Sequence, residues 1–456
     1  PNGAISRWAY NRDGQVVRAV DPRGGVSRYG YDGVGRLVET VDGAAAIGAS
    51  PALSQTTRYA YDARSRLMRV TDPDGRVTTR TYDAFDRVVA VENGVGTRMT
   101  VAYDALDRVT RQTSGANTPA EAVTTAYTYD ALGRQTAVAQ DPDGLNLVTQ
   151  YRYTQPGSSD TWRLQAVVDA KGNATRYAYD QRSNLVAVTD ALNATWGYTY
   201  DRLGQLTTIT PPVGAPTTYT YDVLGRQTAL SRNGQTETWS YTPVGQLASA
   251  TSFAGQVTSY AYDAVGRRTA VDYPAGMADV GYTYDANGNL TALADGAGGA
   301  TFGYDVLGRL VARQHAGRTV GYQYNQSGQP TQLQLWDQGT VGYTYDAAGR
   351  LAGLTDLGGA TTSYAYRSSG ALAQQTLPGG VTSSLGYDTA GRLTGIDHRQ
   401  GSTAIQTVNY TLDGVGNRLS QVDSSGTTSY AYDPANRLIQ ATYPTGGANG
   451  LSLIHI

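Results

Sequence analysis

The chain has no cysteine, one lysine (Lys171), three histidines and three phenylalanines among its 456 residues. Without cysteine there is no disulfide framework and no thiol nucleophile. His315, His398 and His455 have no metal-ligand neighbour set, and no HExxH occurs, so surface or loop roles are expected for them. Lys171 is followed by Gly172, which excludes the Gly-Lys-Ser/Thr of a phosphate-binding loop. Gly94-Val95-Gly96 does not complete a GxGxxG, and no GxSxG elbow is present. A net charge of −2 gives no basic field for nucleic acid or anionic membrane. There is also no run of 18 or more apolar residues, so no helical membrane span is expected.

What is present is repetition. Tyr-Asp returns about every 21 residues, usually with Gly-Arg three residues on, and a period in that range signals a repeat architecture. Clear copies are Tyr31-Asp32 with Gly35-Arg36, Tyr221-Asp222 with Gly225-Arg226, and Tyr345-Asp346 with Gly349-Arg350. Counting near-variants, 20 copies lie between Tyr10 and Tyr432. Length alone would suggest about three ordinary domains. Repeat units that share one core override that expectation. They also leave little sequence for a single active site.

The unit reads Tyr-x-Tyr-Asp-x-x-Gly-Arg-Leu. Two Tyr spaced by two share one face of a strand. Asp then suits the first position of a type I turn, and Gly its fourth, where φ is positive. Such a turn gives a three-residue hairpin loop with a bulge at the glycine. Ser65, Asp86, Asp107, Ser183 and Asn436 replace that glycine, and Pro243 and Pro434 occupy the second turn position, where Pro is favoured. This hairpin sets Tyr31 opposite Leu37 and Asp32 opposite Arg36, an ion pair of roughly 0.2–1 kcal/mol. Arg occurs in 11 copies, and every one of them has Asp. Copies without Asp carry Gln15, Ser158, Gln246, Gln329 or Ala371 at the Arg position, so Asp and Arg read as a pair, with repeat drift as the bland alternative. Asp21-Pro22-Arg23-Gly24, Asp72-Pro73-Asp74-Gly75 and Asp141-Pro142-Asp143-Gly144 read as return turns leading to the next strand.

The fold class follows: all-β, tandem antiparallel hairpins in one long coiled sheet. Twenty hairpins give about 40 strands, or roughly 190 Å of sheet, and open sheets beyond about 10 strands curl. All tyrosines except Tyr273 and Tyr443 fall at the two strand positions, and Trp8, Trp239 and Phe302 fill the first position in other copies. Tyr is chosen over Phe where the hydroxyl reaches a partner or water. Calcium is disfavoured, because each loop offers about one Asp and follows it with Arg instead of further oxygen ligands. No cofactor is expected. Carbohydrate stacking on the aromatic stripe is weaker than the reading as cross-strand packing. The sequons at Asn173, Asn193, Asn289, Asn325 and Asn409 are expected by chance in a Thr-rich chain.

Tyr-Asp-x-x-Gly-Arg-Leu at this spacing resembles the RHS/YD-repeat family, over Tyr10 to Tyr432. The resemblance implies a spiral β-cocoon, secreted or at the cell surface and of bacterial type. In bacterial members it encloses a C-terminal toxin polypeptide, and in teneurins it serves adhesion. The chain is therefore expected to be a non-enzymatic shell segment with a polypeptide cargo. The alternative is an extracellular protein that binds glycans or cell-surface receptors. Residues 1–450 read as repeat, irregular to about 178 and regular from 179 to 387. The longer intervals read as loop insertions. Residues 451–456 are off-pattern, and the whole reads as a fragment cut at both ends.

Overall fold

A computed structural model describes residues 5–43, 54–154 and 162–444. The insertion within Gly43–Ser54, the divergent turn with Pro156 and Ser158, and the off-pattern tail lie largely or wholly outside the described residues. Among the described residues, forty strands of 4 to 10 residues form one antiparallel sheet, and in every pairing described the partners are consecutive in sequence. No α-helix occurs among the described residues; a 3₁₀ turn spans Pro119–Glu121.

Each hairpin is built as its residues dictate. Gly35 N–H donates to the Asp32 carbonyl at 3.0 Å, and Asp32 N–H donates to the Arg36 carbonyl at 2.9 Å. Gly35 has φ +85° and closes the turn in the left-handed region that glycine enters without steric cost. The five substitutes adopt it too, with φ of 64° at Ser65, 66° at Asp86, 62° at Asp107, 73° at Ser183 and 63° at Asn436. Strands Val26–Tyr31 and Leu37–Asp42 then pair with Tyr31 opposite Leu37, as the turn requires.

Beyond the turn a second irregularity appears that the motif did not announce. Gly30 pairs with Glu39, not Val38, so Val38 is an extra residue. The same step leaves Thr228 extra between Tyr221↔Gln227 and Thr220↔Ala229, and Ala352 extra in the Tyr345 hairpin. A bulge of this kind bends and twists the strand that carries it. Where it holds threonine, the hydroxyl meets the residue between the two tyrosines: Thr136 with Thr128 at 3.0 Å, and Thr207 with Thr199 at 2.9 Å. The bulged residue therefore lies on the face away from the tyrosines.

The return turns at Asp21 and Asp72 repeat the same loop, with Gly24 at φ +91° and Gly75 at φ +80°. The one at Asp141 does not. There Asp141 and Asn146 take positive φ, and Asn146 N–H closes a wider loop on the Asp141 carbonyl at 2.7 Å. The Asp141 carboxylate is drawn into bonds with Leu145 N–H and the Thr389 hydroxyl.

The chain divides into two compact units, Pro1–Thr81 with Glu92–Val95 and Gln235–Thr361, and Tyr82–Val91 with Gly96–Gly234 and Thr362–Ile456. Within the first unit the chain returns to touch itself: a Cβ added at Gly94 would sit 2.6 Å from the Ala347 carbonyl oxygen. Within the second, a Cβ added at Gly115 would sit 2.8 Å from Ser369 N. Buried apolar residues are small and scattered, such as Val26, Ala90, Val168, Val271 and Val408, while the tyrosines are mostly half-buried.

Candidate functional site

The motif residues come together at every turn. The Asp32 carboxylate accepts from the backbone N–H of Val34 at 3.1 Å and of Arg36 at 2.9 Å, and its other oxygen accepts from Arg36 Nε at 2.7 Å. Asp222 holds Leu224 N–H, Arg226 N–H and Arg226 Nε in the same way. So does Asp346 with Ala348 and Arg350. Gly225 and Gly349 close these turns at φ +80° and +79°. All 11 Asp–Arg pairs form, at 2.6 or 2.7 Å. The Asp222 carboxyl is held below its ordinary value by the Arg226 guanidinium first and then by the turn N–H groups. At Asp346 burial pushes upward, and the hydrogen bonds from Arg350 outweigh it.

The tyrosine hydroxyls explain the scarcity of phenylalanine. The Tyr31 hydroxyl donates to the Val16 carbonyl at 3.0 Å, Tyr221 to Leu206 at 2.7 Å and Tyr345 to Pro330 at 2.7 Å. Each acceptor is the first residue after the Arg position in the preceding hairpin. The strand ladder between hairpins does not extend that far. Between Leu37–Asp42 and Gln55–Tyr61 it runs only from Asp42↔Gln55 to Glu39↔Arg58, and the Tyr61 hydroxyl takes the Leu37 carbonyl at 2.8 Å beyond its end. The second Tyr thus continues the sheet's hydrogen bonding where the strands separate. Burial raises the phenol pKa at Tyr221 and Tyr345, which keeps the proton on the donor.

Arginine has a second role that the sequence reading missed. Besides its own Asp, Arg36 lies 4.9 Å over the Tyr61 ring and donates to the Asp62 carbonyl and the Ser65 hydroxyl of the next hairpin. Arg87 does the same with Tyr103 and Asp104, and Arg309 with Tyr324 and Asn325. Such a cation over a ring contributes about 0.5–1 kcal/mol where water has access. Glutamine keeps half of this arrangement: Gln15, Gln246 and Gln329 donate to the carbonyls of Gly35, Gly266 and Gly349. These copies have lost the ion pair but not the link to the next repeat. That Gln recurs at a vacated Arg position was the available signal.

Of the histidines, His315 contacts the Gly299 carbonyl at 2.6 Å, His398 contacts the Ser383 hydroxyl at 2.7 Å, and His455 lies outside the described residues. Among the described residues no group of three His, Cys, Asp or Glu could hold a metal ion, and no helix is long and apolar enough to cross a membrane.

Comparison with known proteins agrees with the geometry. The RHS Repeat family model matches residues 10–47, 49–77, 61–98, 103–145, 163–195, 180–216, 200–236 and 241–276, more than half of the chain. The Teneurin YD-shell model matches 276–355 and 331–450. A search of curated proteins finds no match. Among solved structures, the TcdB2-TccC3 complex is similar over 96% of this chain, with TM-score 0.76 and 16% identity. The same complex without its hypervariable C-terminal region gives TM-score 0.76 and 14% identity, over 96% of this chain and 31% of that one. The Photorhabdus luminescens Tc holotoxin pore gives 0.62 and 16% over 94% of this chain and 27% of that one. The chain spans only 29% of the length of TcdB2-TccC3.

Proposed function

Since the chain belongs to the RHS-repeat family, we propose that it is a non-enzymatic wall segment of a secreted or surface protein that encloses a toxin polypeptide. One observation carries this reading. The Tyr, Asp and Arg that recur along the chain are engaged with one another and with neighbouring repeats, from Tyr31 and Arg36 to Tyr345 and Arg350. The residues with the most chemical capacity are thereby committed to joining hairpins, which is what a wall requires. Support for a polypeptide cargo comes from the solved relatives of the same fold. They include a Tc holotoxin pore and a TcdB2-TccC3 complex solved with and without a hypervariable C-terminal region.

Limited proteolysis of the complete gene product, read by mass spectrometry, tests the proposal. Non-repeat polypeptide should resist cleavage under native conditions and become cleavable only when denaturant opens the repeats. Cleavage of that polypeptide while the hairpins remain intact would contradict enclosure. Binding of the repeat chain to glycan arrays would favour the adhesion reading instead.

A further inference from the structure

Where each unit folds back on itself, return turns of the early hairpins meet Tyr-Asp turns of the late ones. From Asp263 onward five turns retain both Asp and Arg and pair them internally, as at Asp305–Arg309, Asp346–Arg350 and Asp388–Arg392. Four turns in that stretch have lost one or both. Each of these four meets a charged early residue that answers the loss.

At Asp285 the Arg position is Asn289, and the missing cation is supplied by Arg23, 3.5 Å away. At Asp413 the position is Asn417, and the chain's only lysine, Lys171, pairs with the Asp413 carboxylate at 2.9 Å. That carboxylate is only 9% exposed. At Asn325 the Asp itself is missing, and early carboxylates come to the turn: Asp74 accepts from Gln326 N–H at 3.0 Å and Asp72 from the Ser327 hydroxyl at 2.9 Å. At Arg367 the sign is inverted, with a cation where Asp belongs and Ala371 where Arg belongs. Glu121 faces it at 3.9 Å and accepts from Ser368 N–H at 2.6 Å. Glu121 sits in the 3₁₀ turn of one of the longer intervals, so that insertion supplies a contact.

We propose that these four departures from the repeat are register locks, which determine which early hairpin lies beside which late one. A repeat array needs such a device. Twenty nearly equal turns offer many equivalent ways to slide by one hairpin, and pairing through the common motif would not distinguish them. Two locks in each unit carry different charge patterns: cation to Asp at 285 and 413, carboxylate to a neutral turn at 325, carboxylate to Arg at 367. A slip by one hairpin sets Lys171 or Glu121 against a turn whose Asp and Arg are already paired. Opposite charges recover little there, and a misplaced like charge is repelled.

The absence of cysteine makes the register directly measurable. A Cβ added at Gly414 would lie 3.5 Å from the Ala170 Cβ, within disulfide reach, and Gly414 is not in the left-handed region. In the full chain, Ala170→Cys with Gly414→Cys would create its only disulfide, scored by its oxidation yield. High yield is expected with Lys171 in place. Lys171→Glu should lower the yield at least about threefold, because a pair is lost and a repulsion gained at a partly buried site. Asp413→Asn keeps an oxygen for the Val415 and Asn417 N–H groups but removes the charge, and in that background Lys171→Glu should lower the yield no further. If Lys171→Glu abolishes folding, Lys171→Met removes the charge and keeps the stem, and should still lower the yield. An unchanged yield with Lys171→Glu or Lys171→Met, or an equal loss from Lys171→Glu in the Asp413→Asn background, overturns the proposal.

Discussion

Replacing Tyr221 by Phe deletes one oxygen and nothing else, and the structure says what that oxygen does. Its hydroxyl donates to the Leu206 carbonyl at 2.7 Å. The ladder from the Leu206 strand to the next hairpin covers only Thr208↔Thr218 and Ile209↔Thr217, so no strand neighbour replaces the lost donor. A net hydrogen bond contributes about 0.5–1.5 kcal/mol, and a fully buried orphaned acceptor costs more. Leu206 is half-buried and water reaches it in part, so Tyr221→Phe should cost about 1 kcal/mol. Tyr219, two residues earlier on the same face, has a hydroxyl with no hydrogen-bond partner among the described residues. Tyr219→Phe should therefore stay within about 0.5 kcal/mol of the parent. Tyr345 donates to Pro330 and shares neither acceptor nor cross-strand partner with Tyr221, so the double change to Phe should cost about 2 kcal/mol. Urea midpoints at constant slope measure all three differences. The reasoning is refuted if Tyr221→Phe shifts the midpoint no further than Tyr219→Phe.

Gly133 closes its turn at φ +81° with open space around it, so Gly133→Ala should destabilise by about 1 kcal/mol from backbone strain alone. Gly133→Asn should cost less in the same urea titration, because Asn436 holds this conformation in another copy. Gly94→Ala forces a methyl to within 2.6 Å of the Ala347 carbonyl oxygen and should lower the thermal midpoint clearly, whereas Gly33→Ala, with nothing within 4 Å, should not. The Asp62 and Asp222 carboxyls are held below their ordinary value of 3.8 by Arg66 and Arg226, so their folded forms bind fewer protons than the unfolded chain. That stabilisation is complete above the ordinary value and is lost as pH falls below it toward the folded value. Denaturant midpoints should be level through neutral pH and fall on acidification in that range; a rise would reverse the assigned sign.

The turn was legible in the sequence because its chemistry is local. Asp32, Gly35 and Arg36 act within five residues, and the loop they make places Tyr31 opposite Leu37 without further information. Replacement of Gly by Ser65, Asp86, Asp107, Ser183 and Asn436 was readable for the same reason. Val38 was not recognisable as a bulged residue, since an apolar residue there also fits an unbroken strand. The acceptor of the Tyr31 hydroxyl and the stacking of Arg36 on Tyr61 depend on where two hairpins diverge, which no single repeat encodes. Contacts such as Ser327 with Asp72, 255 residues apart, leave no local pattern. Their trace is the set of repeats that break the motif, which drift would also produce.

Electron cryo-microscopy of the complete gene product shows whether the repeats enclose a polypeptide. An enclosing wall requires ordered or diffuse polypeptide density outside the repeat pattern, surrounded by the hairpin strands. Repeat strands surrounding only solvent, with every non-repeat domain outside them, would contradict it.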